Sequence, residues 1–233
     1  MNLPLFYQHN LDLHSSIFEL DEDASRHVIQ VLRMQKGERI QLTDGKGSMM
    51  IAEIEEGHKK SCTVRKISLE HKLPSERRIT IAISPVKNTS RFEWFLEKAT
   101  EMGVYAIIPL ICKRTEKQHF RKDRMQSILT SAMLQSKQAF LPLLFEATVF
   151  SQVFTSANQK IKCIAHCEEG KEKNPFRSIC NNEDVIILIG PEGDFTTEEI
   201  EMAINQNFIP VSLGETRLRT ETAGVAAAAL FCI

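Results

Sequence analysis

Two short apolar runs, each ended by glycine and followed closely by a polar helix start, restrict the possible folds of this chain more than any other feature. The first, Val185-Ile186-Ile187-Leu188-Ile189, enters Gly190-Pro191-Glu192-Gly193-Asp194-Phe195 and then Thr196-Thr197-Glu198-Glu199. The second, Ile209-Pro210-Val211-Ser212-Leu213, enters Gly214-Glu215-Thr216-Arg217-Leu218-Arg219-Thr220-Glu221 and then an alanine-rich end. A β-branched run of this kind reads as a buried parallel strand, since such strands are covered on both faces. Thr196 with Glu199 three residues on is the pattern of a capping box. The loops of the two units are expected to lie side by side.

In open α/β sheets ligands bind beyond the carboxyl ends of the strands, so two such loops define a candidate pocket. The charge of the loops selects the ligand. Neither the G-x-G-x-x-G spacing nor a P-loop G-K-[ST] ending occurs here, and Glu192, Asp194 and Glu215 would repel a polyphosphate. A ligand with an adenosine-like or cationic part and no phosphate fits better. For either loop alone, tight turns with solvated carboxylates explain the residues as well; the two together favour a site.

Upstream, strand and helix patterns alternate. Ile79–Ser84 reads as a strand, followed by a helix starting at Ser90 with Glu93 and closing at Gly103, then a strand over Tyr105–Cys112. A helix over Met125–Ala139, strands at Leu143–Ala147 and Ile161–Ala165, a short helix around Val149–Ser156 and a polar loop from Glu168 to Asn182 complete the set. This is the βαβ rhythm of an α/β fold with a parallel sheet. The first segment is instead β-rich. Ile40–Thr43, the turn Asp44-Gly45-Lys46-Gly47 and Met49–Ile54 predict a hairpin, Ser61–Ile67 another strand, and the whole a small β-barrel. A short helix fits between Asp21 and Met34, with Val28, Val31 and Leu32 on one side. The polar, proline-bearing stretch Leu73-Pro74-Ser75-Glu76-Arg77-Arg78 gives the expected layout: a domain over 1–72, a linker over 73–78 and a second domain over 79–233.

A formal net charge of −1 excludes a globally basic nucleic-acid binder, so any RNA contact must come from a local patch. The best patch is the loop Lys113–Arg124, in which Lys113, Arg114, Arg121 and Lys122 are candidate phosphate contacts. The 6 cysteines are scattered; Cys163, His166 and Cys167 form the one cluster suggestive of zinc, and without a second pair at metal spacing no metal is expected. The start lacks the basic and apolar regions of a signal peptide, and Ala223–Ile233 falls short of the roughly 20 residues that cross a bilayer, so a cytoplasmic protein with no membrane contact is expected.

Leu188–Gly193 and Leu213–Ala223 resemble the two signature motifs of the SPOUT-superfamily ribosomal RNA small-subunit methyltransferases, the methyltransferase E family, which modify a uridine of 16S ribosomal RNA at N3. Arg26-His27, Val31–Met34, Gly37, Asp44-Gly45 and Glu97–Val104 extend the resemblance over nearly the whole chain. It implies a carboxyl-terminal parallel sheet with a trefoil knot, preceded by a PUA-like RNA-binding barrel. It also implies S-adenosylmethionine as cofactor, the small ribosomal subunit as partner, and a homodimer with the last helix in its interface. The chain departs from the family at its amino terminus, where Leu3-Pro4-Leu5-Phe6-Tyr7 stands in place of a common arginine. It departs again at Leu134-Gln135-Ser136-Lys137-Gln138, which keeps only the glutamine of a Glu-Gln-x-x-Arg pattern.

On that resemblance, Leu188, Ile189, Gly190, Glu192, Gly193, Leu213, Gly214, Leu218, Arg219 and Thr220 are the candidate cofactor residues, and Arg26 and Arg33 are further RNA phosphate contacts. Uridine N3 carries a proton at neutral pH and must lose it to attack a methyl group. A positioned carboxylate can take the proton and a cation can stabilise charge developing on the uracil oxygens. Glu221 is the first candidate base, Glu192 the second, and Arg219 the residue that orients the uridine. Glu221 reads equally as a first-turn carboxylate favoured by its helix dipole. The alternatives are a non-catalytic RNA-binding ribosome-assembly protein and a nucleotide-dependent dehydrogenase or hydrolase; the latter lacks both phosphate-loop spacings.

Overall fold

The computed structural model describes residues 3–58, 61–116, 120–168, 170, 172–179 and 183–233. The chain divides into two compact units: Met1–Pro74 with Met133–Leu141, and Ser75–Ala132 with Pro142–Ile233.

In the first unit, β1 (Leu5–Tyr7), β2 (Ile17–Glu19), β3 (Arg39–Thr43), β4 (Ser48–His58) and β5 (Ser61–His71) form a five-stranded sheet in the order β1-β3-β4-β5-β2. The alternation read from the sequence places Ile40 and Leu42 of β3, with Met50, Ala52 and Ile54 of β4, in one core, joined by Cys62 and Val64 of β5. Register shifts at Ile51/Ala52 and Ile54/Glu56 mark irregularities of the bulge type, which bend a strand. The hairpin turn requires glycine. Gly47 has φ +107, and a Cβ there would stand 2.7 Å from the Lys72 carbonyl oxygen.

The single helix expected between Asp21 and Met34 is two elements. Asp21 caps α1 (Glu22–Arg26) by accepting from the Ala24 amide, and the chain then widens into a π-helical turn over His27–Val31 before Arg33 leaves in the left-handed region with φ 53. The wider turn rotates later side chains off the 3.6-residue face. Val28 is therefore buried, whereas Val31 and Leu32 are exposed.

The second unit is built on a parallel sheet. Its strands are β6 (Ile79–Ile83), β7 (Ala106–Ile111), β8 (Leu143–Leu144), β9 (Thr148–Val149), β10 (Ile161–Ala165), β11 (Asn174–Pro175), β12 (Val185–Ile189) and β13 (Ile209–Ser212). Their order is β11-β13-β10-β12-β6-β7-β8, with β9 also paired to β7. Every residue of β6 and β12 is buried, as continuous apolar runs predict. The helices are α2 (Thr89–Glu101), α3 (Lys122–Ser136), α4 (Phe150–Ser156), α5 (Phe176–Ile179), α6 (Thr197–Asn205) and α7 (Thr220–Cys232).

Several boundaries differ from expectation for identifiable reasons. α2 is capped by Asn88, not Ser90, because the Asn88 side chain accepts from the Ser90 amide, while Glu93 pairs with Arg124. Gly103 ends that helix with φ +83. Lys122 belongs to α3 rather than to a basic loop. The stretch read as one strand over Leu143–Ala147 is the short β8, with β9 following it. The polar loop after β10 contains β11 and α5, where the fully buried Phe176 anchors α5 between polar neighbours. The Thr196 capping box is present in full, and the second oxygen of Glu199 also accepts from the Lys113 amide at 2.8 Å.

α7 packs against α2 and β6. Gly224 permits the approach: a Cβ there would lie 2.6 Å from two Phe95 ring carbons and 2.8 Å from Ile83 Cδ1.

Candidate active site

β10 runs between β12 and β13, parallel to both, yet the two glycine loops meet as expected, with Thr220 hydrogen-bonded to Gly190. The carboxyl ends of the three strands consequently open on one edge of the sheet. A cavity of about 650 Å³ lies there, within the usual size of a small-molecule site. Its wall takes Ile189–Glu192 and Asp194 from the first glycine loop, Val211–Thr220 from the second, and Ala165, His166 and Cys167 from the end of β10.

Among the candidate cofactor residues, Ile189, Gly190, Glu192, Leu213, Gly214, Leu218, Arg219 and Thr220 line this cavity. Leu188 and Gly193 do not. Leu188 is fully buried in the apolar core of the sheet, and Gly193 turns its carbonyl to Arg114, whose Nη1 donates to it at 2.8 Å. His166 and Cys167 are site residues that the sequence reading passed over. The strand-end rule that pointed to the two glycine loops applies equally to β10, and would have found them. Among the described residues, no group of three or more His, Cys, Asp or Glu is placed to hold a metal ion.

Three contacts set the shape of the wall. Thr220, in the first turn of α7, donates from Oγ1 to the Gly190 carbonyl at 3.0 Å, tying the second loop to the first in a buried position. Asp194 adopts φ 63, uncommon for a residue with a Cβ, and its Oδ2 accepts from the Cys167 amide at 2.8 Å, joining the first loop to the end of β10. Arg114 donates to the carbonyls of both Gly193 and Phe195. Both bonds come from Nη1 of this exposed side chain and brace the first loop. Thr220→Val leaves the Gly190 carbonyl buried without that donor, so a stability loss of about 1–3 kcal/mol is expected in urea unfolding, with weakened ligand binding in the cavity.

The charged side chains in the wall are mixed. Glu192, Asp194 and Glu215 are accompanied by Lys173, Arg217 and Arg219. Glu221 stands just outside the wall, next to Thr220. It is only 5% exposed; its Oε1 lies 3.8 Å from Arg91 Nε, and its Oε2 accepts no hydrogen bond among the described residues.

The remaining candidate RNA contacts fall in both units. Arg26 pairs with Glu22 on α1 at 3.0 Å, and Arg33 is exposed on the first unit. On the second unit, Lys113 and Arg121 are exposed and Lys122 pairs with Glu146. Lys117, Gln118 and His119 of the same stretch lie outside the described residues.

Comparison with known proteins agrees with this geometry. The RNA methyltransferase domain family matches residues 73–232, and the RNA methyltransferase PUA domain family matches residues 20–67. The ribosomal RNA small subunit methyltransferase E of Synechocystis sp. is 31% identical over 214 residues, covering 88% of this chain and 70% of the relative. A crystal structure of a probable rRNA-methyltransferase from Porphyromonas gingivalis superposes with a TM-score of 0.88 at 40% identity, covering 97% of this chain and 96% of that one. The ribosomal RNA small subunit methyltransferase E of Neisseria gonorrhoeae, solved with S-adenosyl methionine bound, gives a TM-score of 0.82 at 29% identity, covering 98% and 96%. With both halves of the chain matched and 70% or more of these relatives' length covered, the chain belongs to the ribosomal RNA small-subunit methyltransferase E family of SPOUT-type RNA methyltransferases.

Proposed function

We propose that this protein transfers the methyl group of S-adenosylmethionine to N3 of a uridine in 16S ribosomal RNA of the small subunit. The observation that carries the reading is the cavity at the ends of β10, β12 and β13, walled by both glycine loops and by the carboxylates of Glu192, Asp194 and Glu215. Its residues fit the cofactor. Glu192, Asp194 and Glu215 suit ribose hydroxyls and a cationic sulfur, and nothing lies within 4 Å of a Cβ position on Gly214, so the floor is open there. Apolar Ile189, Leu213 and Leu218 offer faces for an adenine ring. When bound, S-adenosylmethionine supplies a methyl group already activated on a sulfonium.

The chain then has two tasks. One is alignment, worth roughly 7–11 kcal/mol when reacting atoms are held in line. The other is to remove the N3 proton. Glu221, at the edge of the wall, is the first candidate to take it, and Arg219 orients the uracil and stabilises charge on its carbonyl oxygens. Glu192, in the wall itself, is the second candidate base.

The same reading includes finer features. Residues 1–72 form a PUA-like RNA-binding domain, 73–78 a linker and 79–233 the methyltransferase domain. Arg26, Arg33, Lys113, Arg114, Arg121 and Lys122 meet phosphates. The second glycine loop passes behind the first in a trefoil knot, as the resemblance of the two loop motifs implies. A second copy of the chain covers α7, where Val225, Ala226, Ala229 and Leu230 are only half-buried. The protein works in the cytoplasm; no described helix is long and apolar enough to cross a membrane.

Equilibrium dialysis with labelled S-adenosylmethionine tests the cofactor assignment. Saturable binding displaced by S-adenosylhomocysteine but not by ATP is expected. Equal displacement by ATP, or no saturable binding by folded protein, contradicts it.

A further inference from the structure

We infer that Arg91 is a positioning residue for methyl transfer, acting through Glu221; this rests on the base role proposed above. Arg91 lies in the first turn of α2, a turn that holds no acidic residue. A cation there opposes the helix dipole, so local helix energetics do not account for it. What it meets lies on another helix. Its Nε is 3.8 Å from Oε1 of Glu221, in the first turn of α7. The close packing of Phe95 on Gly224 brings α2 and α7 together and so delivers one side chain to the other.

The carboxylate is the buried member of the pair, its side chain 7% exposed against 42% for Arg91. A cation beside a buried carboxylate attracts it and fixes where it lies. Arg91 attracts Oε1 from beyond hydrogen-bond distance, leaving Oε2 without a partner among the described residues. One oxygen is thus drawn to a fixed cation, and the other, itself buried, carries no competing hydrogen bond among the described residues, as a proton acceptor requires.

The test uses the full chain and small subunits lacking the modification, in single turnover with saturating labelled S-adenosylmethionine, on wild type, Arg91→Ala, Arg91→Lys, Glu221→Gln and the Arg91→Ala/Glu221→Gln double variant. Arg91→Ala is expected to slow transfer on the order of 10-fold, within the coupling range of contacting residues, with cofactor affinity within about 2-fold of wild type. Arg91→Lys should recover most of that rate, and Arg91→Ala should cost nothing further once Glu221 is glutamine. Should Arg91→Ala not fold, Arg91→Gln replaces it. An unchanged rate in Arg91→Ala, multiplying losses in the double variant, or a loss confined to cofactor or RNA affinity overturns the inference alone. A wild-type rate in Glu221→Gln removes the base assignment itself, and the role of Arg91 with it.

Discussion

Glu221→Gln is expected to reduce the single-turnover rate of methyl transfer by about 10²-fold or more, the scale of a general base, while S-adenosylmethionine affinity stays within about 2-fold of wild type. Glutamine preserves the size and shape of the side chain but cannot accept the N3 proton. Cofactor affinity should hold because Glu221 stands outside the cavity wall, behind Thr220. The position also allows a structural role, since a carboxylate in the first turn of a helix is favoured by the dipole by about 0.3–1 kcal/mol. The two roles separate cleanly. If Glu221 served α7 alone, the substitution would lower stability slightly and leave the rate unchanged, and Glu192, which lines the cavity, would become the candidate.

The largest stability effect is expected at Gly224. Gly224→Val should destabilise the protein by about 3 kcal/mol, the upper part of the range for overpacked cores, and lower Tm by roughly 6–12 °C. A Cβ alone would stand 2.6 Å from two ring carbons of the fully buried Phe95 and 2.8 Å from Ile83 Cδ1. Neither neighbour has room to withdraw, because Phe95 sits between α2 and α7 and Ile83 is in a strand buried throughout. Relief must therefore come from movement of α7, whose first turn carries Thr220 and Glu221. Transfer should fall with stability, even though Gly224 touches neither cofactor nor RNA in this account. A thermal melt with unchanged Tm would show that the α2–α7 contact is looser than described.

How far these features could be read in advance depends on whether they are local. The parallel-strand character of Val185–Ile189 and the Thr196 capping box are written in a few adjacent residues and occur as expected. Most of the cavity wall was likewise legible, because strand ends in an α/β sheet face the ligand whatever the strand order. The order itself is set by non-local pairing, so the insertion of β10 between β12 and β13 left no mark in either run, although the strand-end rule applied to β10 reaches His166 and Cys167 without it. Asn88 and Ser90 are both cap formers two residues apart, and only the packing of the turn decides between them.

Other differences show tertiary structure overriding local preference. Phe176 is buried among polar residues that read as a loop. A π-helical turn exposes Val31 and Leu32, which helical periodicity had placed beside Val28. Arg114 belongs to a basic stretch that suggests RNA, and nothing in that stretch reveals that its Nη1 also donates to two carbonyls of the first glycine loop. The pairing of Arg91 with Glu221 spans α2 and α7, and no spacing rule within either helix reveals it.

The most direct test of the central claim is label transfer from methyl-tritiated S-adenosylmethionine to small ribosomal subunits that lack their native methylation, followed by nucleoside analysis. The account predicts label in N3-methyluridine, stoichiometric with one site and lost in Glu221→Gln. Folded protein that binds S-adenosylmethionine but leaves such subunits unlabelled, or places the label on another nucleoside, would contradict it.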